Sequence, residues 1–139
     1  IREFSKLKNL YLDKNQISKI EALGDFSELE YLLLNMNQIS KLGGLEGLIN
    51  LKHLAIFQNQ IGKIEGLEKL KQLHRLVLNR NEIKKIEGLE NLSNLKRLEL
   101  RNNKIKKIEG LKKLSHLEEL FLNNNQIMKM EGLEGLPGL

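Results

Sequence analysis

A repeat of 22 residues runs without slippage from Leu7 to Leu139. Its template is L-x-x-L-x-L-x-x-N-x-I-x-x-I-x-G-L-x-x-L-x-x. A unit this short cannot bury its own apolar side chains, so successive units must stack on one another to form a continuous core. The sequence therefore predicts a stack of repeats with an asparagine at the ninth place of each: Asn15, Asn37, Asn59, Asn81, Asn103 and Asn125.

The repeat also sets the domain organisation. Six complete repeats fill residues 7–138, and Leu139 opens a further one. Residues 1–6 fit the last six places of a preceding repeat, with Ile1 and Phe4 at its apolar places. We therefore interpret residues 1–139 as a single array. Because repeat arrays normally carry polar capping units and none is recognisable after Leu136, we expect a longer parent protein and end-to-end association through the uncapped ends.

Each repeat contains one segment that alternates apolar and variable residues, which is Leu10-Tyr11-Leu12 in the first repeat. This pattern is typical of a short strand with one buried face. Since every repeat follows the same path, the strands should be parallel, about 4.8 Å apart, and joined by right-handed crossovers. The remaining residues should return along the convex side in 3₁₀ turns or about one helical turn.

Two columns of the template are polar or small for structural reasons. The asparagine amide can both donate and accept hydrogen bonds, so it can link one coil to the next. Glycine at the sixteenth place should permit a positive φ or a close backbone approach. Ala22 stands at this place in the first repeat, so we do not expect a strict requirement for positive φ there. The glycines of the column are Gly44, Gly66, Gly88, Gly110 and Gly132.

The template resembles the leucine-rich repeat, and in particular the 22-residue subclass typified by the regulatory subunit of type 1 protein phosphatase. The stretch that carries the resemblance is N-x-I-x-x-I-x-G-L-x-x-L, here residues 81–92. The resemblance implies a β-rich α/β fold, a right-handed horseshoe with a parallel sheet on its concave face and short 3₁₀ or helical turns outside. It also implies a non-enzymatic scaffold that binds proteins, although function must still be argued from the site.

The variable residues beside the buried leucines should face the concave side of the sheet. Four of the six aromatic residues, Tyr11, Tyr31, Phe57 and Phe121, fall on these columns. Because a contiguous exposed apolar patch usually marks an interaction site, we predict that a protein partner docks here. The candidate partner-binding residues are Tyr11, Tyr31, Leu33, Met36, His53, Phe57, Arg75, Arg97, Glu99, Arg101, Glu119 and Phe121.

Every arginine except Arg2 lies on the same columns, in a cluster interrupted by Glu99 and bounded by Glu119. Arginine pairs with carboxylates in planar, bidentate geometry and stacks on aromatic rings. We therefore expect Arg75, Arg97 and Arg101 to pair with acidic groups of a partner, beside apolar anchors at Tyr11, Tyr31, Leu33 and Phe57. The alternative is that the aromatics reflect β-propensity and the arginines only solubility.

Several kinds of activity are disfavoured. The absence of cysteine excludes disulfides and thiolate metal sites and fits a cytoplasmic protein, with a bacterial surface as the alternative. The three histidines, His53, His74 and His116, are out of register, so we predict no metal site. No phosphate-binding loop or catalytic triad is present, so we predict no catalytic residue, no cofactor and no enzyme. No apolar run approaches the roughly 18 residues that span a membrane.

The net charge of +5 is uneven, with 10 basic and 9 acidic residues in positions 1–72 but 13 and 9 in positions 73–139. A basic half can attract nucleic acid, yet a convex column of lysines is lined by glutamates, which indicates a solvated face. Nucleic acid is therefore a disfavoured partner. The alternatives to a general scaffold are a phosphatase regulator, the repeat arm of a larger GTPase or kinase, and, least favoured, an RNA–protein scaffold.

Overall fold

The computed structural model describes residues 6–139, so the predicted places of Ile1 and Phe4 lie outside the described residues. Six strands of three residues each form one parallel sheet, ordered as in the chain. The strands are β1 (Asn9–Tyr11), β2 (Tyr31–Leu33), β3 (His53–Ala55), β4 (Arg75–Val77), β5 (Arg97–Glu99) and β6 (Glu119–Phe121).

The register of the sheet reproduces the period of the sequence. Leu10 pairs with Leu32, and Leu32 pairs with Leu54, so partners always lie one 22-residue repeat apart. The ladder continues beyond the strands, since the Leu12 amide donates to the Leu33 carbonyl at 2.8 Å. The predicted parallel-sheet solenoid is therefore confirmed.

The return segments of residues 6–139 contain no helix, so the alternative of about one helical turn is not met. In the first repeat, the Phe26 amide donates to the Leu23 carbonyl and the Leu29 amide to the Phe26 carbonyl, both at 3.0 Å. These bonds span three residues, as in a 3₁₀ helix, but they follow one another at intervals of three residues. Each return is therefore a pair of isolated 3₁₀-type turns, in agreement with the 3₁₀ turns expected from the sequence.

Stacked leucines and isoleucines form one continuous apolar core. Leu54, Leu76 and Leu98 on the central strands have no exposed surface. Leu10 and Leu120 in the terminal coils are only partly buried. Beside the last coil lies a groove of about 480 Å³ that is lined largely by apolar side chains, among them Leu122 and Met130. The residues at the same places of the preceding repeat, Leu100 and Ile108, are buried. The core thus depends on contacts between neighbouring coils, as expected for a unit that cannot bury its own side chains.

The asparagine column links neighbouring coils as the sequence predicted. The Asn81 side-chain amide donates to the Ile56 carbonyl of the preceding coil at 2.8 Å and to the Leu78 carbonyl at 3.1 Å. Its Oδ1 atom accepts a hydrogen bond from the Ile61 amide at 2.9 Å. One buried side chain therefore satisfies backbone groups of two coils, which would otherwise have no partner in the core.

The sixteenth place requires a positive φ in every repeat. Gly88 has φ 70°, and a Cβ at this residue would lie 2.5 Å from the Ile64 carbonyl oxygen of the preceding coil. Ala22 also adopts a positive φ, 57°, so the expectation that this place is unconstrained in the first repeat was wrong. Alanine can occupy the left-handed region at a cost of about 1 kcal/mol, and the surrounding contacts hold Ala22 in that conformation.

Candidate functional site

The third, fifth and seventh places of each repeat present their side chains on the solvent-facing side of the sheet, which we call the sheet face. Tyr31 at the third place pairs in register with His53, and Tyr11 at the fifth place pairs with Leu33. Because parallel strands are about 4.8 Å apart, residues at the same place in successive repeats are neighbours. The predicted candidate residues are therefore brought onto one continuous surface, divided into two parts.

The first part is apolar and exposed. Tyr11 is 60% exposed, Tyr31 41% and Met36 39%, whereas Leu33 and Phe57 are half-buried. The Tyr31 and His53 rings lie 5.7 Å apart at an angle of 55°. We call the five residues Tyr11, Tyr31, Leu33, Met36 and Phe57 the aromatic patch. Side chains of this size and exposure are unusual on a solvated sheet face and fit a contact surface.

The second part is a charged network around a buried carboxylate. Glu99 Oε1 accepts hydrogen bonds from Arg75 Nη2 and Arg97 Nε, both at 2.8 Å. Glu99 Oε2 accepts from Arg101 Nη1 at 3.1 Å and from Asn79 Nδ2 at 2.9 Å. We call these five residues the Glu99 cluster. Glu99 is 4% exposed, so it is the centre of the arginine group and not an interruption of it, as the sequence had suggested.

Two opposing effects act on the Glu99 carboxyl. Burial acts to raise its pKa, because a charge is poorly solvated inside the protein. Hydrogen bonds from Arg97, Asn79 and Arg75 outweigh burial and lower the pKa from 4.5 to about 2. The carboxylate is therefore ionised at neutral pH and holds three guanidinium groups in fixed positions.

Aromatic rings extend the Glu99 cluster at both sides. The Arg97 and Arg101 guanidinium carbons lie 4.5 Å and 4.0 Å from the Phe121 ring centroid, and Arg97 also pairs with Glu119. The Arg80 guanidinium carbon lies 5.6 Å from the Phe57 ring centroid, and the Arg80 amide donates to the Arg101 carbonyl at 2.8 Å, so Arg80 connects the aromatic patch to the cluster. Such cation–π contacts restrict the arginine side chains without neutralising them.

Two features of the site escaped sequence reasoning. Asn79 is 8% exposed and bridges Glu99 to the Arg101 amide, which donates to Asn79 Oδ1 at 2.7 Å. A signal was present, since Asn79 lies at the seventh place, one repeat before Arg101. Met36 is held at φ 57°, and the same left-handed conformation recurs at the eighth place of all six repeats. Met36 is therefore displayed by a turn whose shape the repeat dictates.

One further titratable group of the sheet face, His53, has a shifted pKa. Burial lowers the pKa of His53, and the Arg75 charge lowers it further, so the imidazole is neutral at pH 7. Within residues 6–139, no group of three histidine, aspartate or glutamate side chains could hold a metal ion. Over the same residues, the chain forms no helix long and apolar enough to cross a membrane.

The convex lysines predicted from the sequence, which we call the outer lysine column, carry short-range ion pairs. The column consists of Lys19, Lys41, Lys63, Lys85, Lys107 and Lys129. Lys63 lies 3.4 Å from Glu65, and Lys85 lies 4.0 Å from Glu109 of the next repeat. All four side chains are more than 40% exposed. Exposed pairs of this kind contribute little to stability and dilute the positive charge, which fits the solvated face predicted from the sequence.

The family model described as Leucine Rich repeats (2 copies) matches residues 5–47, 49–91 and 93–137. The chain belongs to the leucine-rich-repeat family. The phosphatase-regulator subclass is not distinguished by this match. Comparison with curated protein sequences gives no significant match.

Among solved structures, this leucine-rich-repeat chain is similar to two internalins of Listeria monocytogenes. Internalin inlF is 30% identical, with a TM-score of 0.73, over 99% of this chain and 48% of the other. Internalin C2 is 30% identical, with a TM-score of 0.78, over 99% and 70%. A Leptospira interrogans leucine-rich-repeat protein, 24% identical over 91% and 40%, has a TM-score of 0.69 and shares the fold. The chain thus spans about half of the inlF structure.

Proposed function

We propose that this leucine-rich-repeat array is a non-enzymatic scaffold that docks a protein partner on its sheet face, the predicted concave side. The observation that carries the proposal is the exposure of Tyr11 and Tyr31 beside three arginines fixed by Glu99. Aromatic and arginine side chains dominate the energetics of protein–protein contacts. The repeat supplies the rigid sheet that holds these side chains in place.

The rigidity of the site favours binding. The aromatic patch and the Glu99 cluster lie on one sheet, and the central leucines of β2 to β5, Leu32, Leu54, Leu76 and Leu98, are fully buried. Ordering long side chains on association costs free energy, and a site that is already ordered avoids much of that cost. The arginines are held by Glu99 before any partner arrives, so they meet this condition.

We expect the double variant Tyr11→Ala/Tyr31→Ala to lose at least tenfold of its affinity for a captured partner. Both residues are exposed, so their loss should remove contact surface while leaving the fold intact. The measurement is the amount of partner protein that the immobilised chain captures from a lysate of the cells that produce this protein. The matched control is Lys63→Ala/Lys85→Ala on the outer lysine column, which should capture the partner as wild type does. Capture that depends on the lysines and not on the tyrosines would refute the sheet face as the site.

We propose three narrower functions as alternatives to a general scaffold. The phosphatase-regulator role rests on the N-x-I-x-x-I-x-G-L-x-x-L template at residues 81–92. The repeat arm of a larger GTPase or kinase would carry the same sheet face beside a catalytic domain elsewhere in the chain. An RNA–protein scaffold rests on the basic second half. Nucleic-acid binding would weaken steeply with added salt, which separates it from the other two.

We also propose a cellular location and a mode of self-association. A chain without cysteine is compatible with the cytoplasm, which we retain as the proposed location over a bacterial surface. End-to-end association would use the apolar groove beside the last coil, where Leu120, Leu122 and Met130 are accessible. Sedimentation at several concentrations measures whether this association occurs.

A further inference from the structure

The sheet face has a shallow strip of small side chains that runs across the strands. The fifth-place residues of β3 and β4 are Ala55 and Val77, the smallest in that column, and they are 5% and 8% exposed. Larger side chains border the strip, with His53 and Arg75 at the third place and Phe57 at the seventh. A polypeptide laid across the strands would therefore rest between two rows of larger side chains.

The two ends of this strip differ in chemistry. At one end lies the aromatic patch, where Tyr11 and Tyr31 are exposed. At the other end lies the Glu99 cluster with Arg80 and Glu119 nearby, so four arginines face two carboxylates and the net charge is +2. An apolar group of a ligand suits the first end, and a carboxylate suits the second.

The guanidinium groups retain hydrogen-bonding capacity after binding Glu99. Arginine has five N–H donors, and Glu99 takes one donor from each of its three arginine partners. Within residues 6–139, the Arg75 Nε atom has no hydrogen-bond partner but is buried beyond the reach of a ligand. The remainder of the two guanidinium groups is accessible, since the Arg75 and Arg97 side chains are 42% and 30% exposed. Arg97 donates from Nε to Glu99 and from Nη1 to Glu119, which leaves its Nη2 group for a ligand. A partner's carboxylate can therefore pair with the cluster while Glu99 stays in place.

The spacing between the ends fixes the length of the ligand. Tyr31 lies on β2 and Arg97 on β5, three strands away in the same column. At about 4.8 Å per strand this separation is about 14 Å, and an extended chain covers about 3.3 Å per residue. About four residues of extended polypeptide therefore connect the two ends.

We propose that the sheet face binds an extended protein segment that carries an aromatic residue and an acidic residue about four positions apart. The aromatic side chain packs on Tyr11 and Tyr31, and the carboxylate pairs with Arg97 and Arg75. The backbone between them crosses Ala55 and Val77. This inference rests on the proposed function and adds the chemistry and spacing of the partner's motif to it.

Synthetic fluorescent peptides of twelve residues in a glycine–serine background test the spacing. Two carry Phe and Glu four positions apart, one in each order, because the chain direction is free. A third has the pair adjacent, and the fourth and fifth replace Glu by Gln in the two spaced peptides. Anisotropy titration should show one spaced peptide binding at least about tenfold more tightly than the adjacent-pair peptide and its own Gln version. Equal affinities for all five would overturn the inference.

Variants of the protein test the assignment of each end. Arg97→Gln should abolish the preference for Glu over Gln, and Tyr31→Ala should weaken the spaced peptide and its Gln version alike. Arg97→Lys keeps the charge opposite Glu99 and should retain part of the preference, which guards against loss of fold in Arg97→Gln. Lys63→Gln, on the outer column, should change nothing. A preference for Glu that survives Arg97→Gln in a folded protein would overturn the inference.

Two further outcomes separate this inference from the function beneath it. In the first outcome, the peptides show no spacing preference, but Tyr11→Ala/Tyr31→Ala still loses capture of the partner. This outcome would refute the motif and would leave the proposed binding at the sheet face unchanged. Independence of both peptides and partner from the tyrosines would remove both. Stronger competition by a single-stranded oligonucleotide than by unlabelled peptide would replace the acidic segment with nucleic acid as the ligand.

Discussion

Replacing Asn81 by alanine should lower the free energy of unfolding by about 3–5 kcal/mol. The Asn81 side chain is 6% exposed and hydrogen-bonds the Ile56 carbonyl and the Ile61 amide of the preceding coil and the Leu78 carbonyl of its own coil. Without it, the Ile61 amide and the Ile56 and Leu78 carbonyls are left in the core without these partners. Each buried unpaired group costs about 1–3 kcal/mol, and the cavity adds to this.

The first repeat provides the matched control for Asn81. Asn15 occupies the same place of the template but is exposed, and its amide donates to the Leu12 and Asp13 carbonyls. Asn15→Ala should therefore cost less than about 1 kcal/mol, since water can replace these bonds. The two variants are compared by urea unfolding, with hydrogen exchange at the Ile61 amide as a local measure. Equal losses from both variants would contradict a role for the asparagine column in linking coils.

The second large effect is expected at Glu99. Within residues 6–139, Glu99 is the only carboxylate that pairs with Arg75 and Arg101. Glu99→Gln removes it and should cost about 2–3 kcal/mol at pH 7. The guanidinium groups would then repel one another around a neutral amide. The control is Glu90→Gln on the exposed return segment, which should change stability by less than about 0.5 kcal/mol.

The Glu99 effect should depend on pH in a defined direction. The carboxyl has its pKa lowered from 4.5 to about 2 in the folded state, so its ionised form stabilises the fold above pH 4.5. That contribution is lost as the pH falls from 4.5 through about 2. The stability difference between wild type and Glu99→Gln should therefore shrink over this range in urea titrations. A difference that stays constant between pH 7 and pH 2.5 would show that the charge of Glu99 is not responsible.

The period of the sequence determines more of the fold than of the site. A strict 22-residue repeat forces the same residue of each unit into register, so the strands, their pairing and the asparagine links follow from it. The return segments were harder, because the same apolar spacing fits a short helix or a pair of turns. Ala22 misled for a similar reason, since alanine enters the left-handed region at moderate cost.

The position of the candidate site was predictable from the sequence, but the contacts among its side chains were not. Placing the aromatic and arginine residues on one face needs only the alternation of strand residues. The roles of Glu99 and Asn79 depend on which side chains reach one another, and that is a matter of rotamers and burial. Arg97, Glu99 and Arg101 do alternate on one face, which hinted at the network. Whether a lone carboxylate attracts its neighbours or merely separates them becomes clear only from the distances.

Photo-crosslinking at single positions tests most directly whether the sheet face binds the partner. Benzoylphenylalanine placed at Tyr31 samples the aromatic patch, and the same residue placed at Lys63 samples the outer lysine column. Both positions are exposed, so each variant should fold as wild type does. We expect a covalent adduct with the captured protein from position 31 and none from position 63. An adduct from position 63 alone would contradict the account and place the binding surface on the outer side of the array.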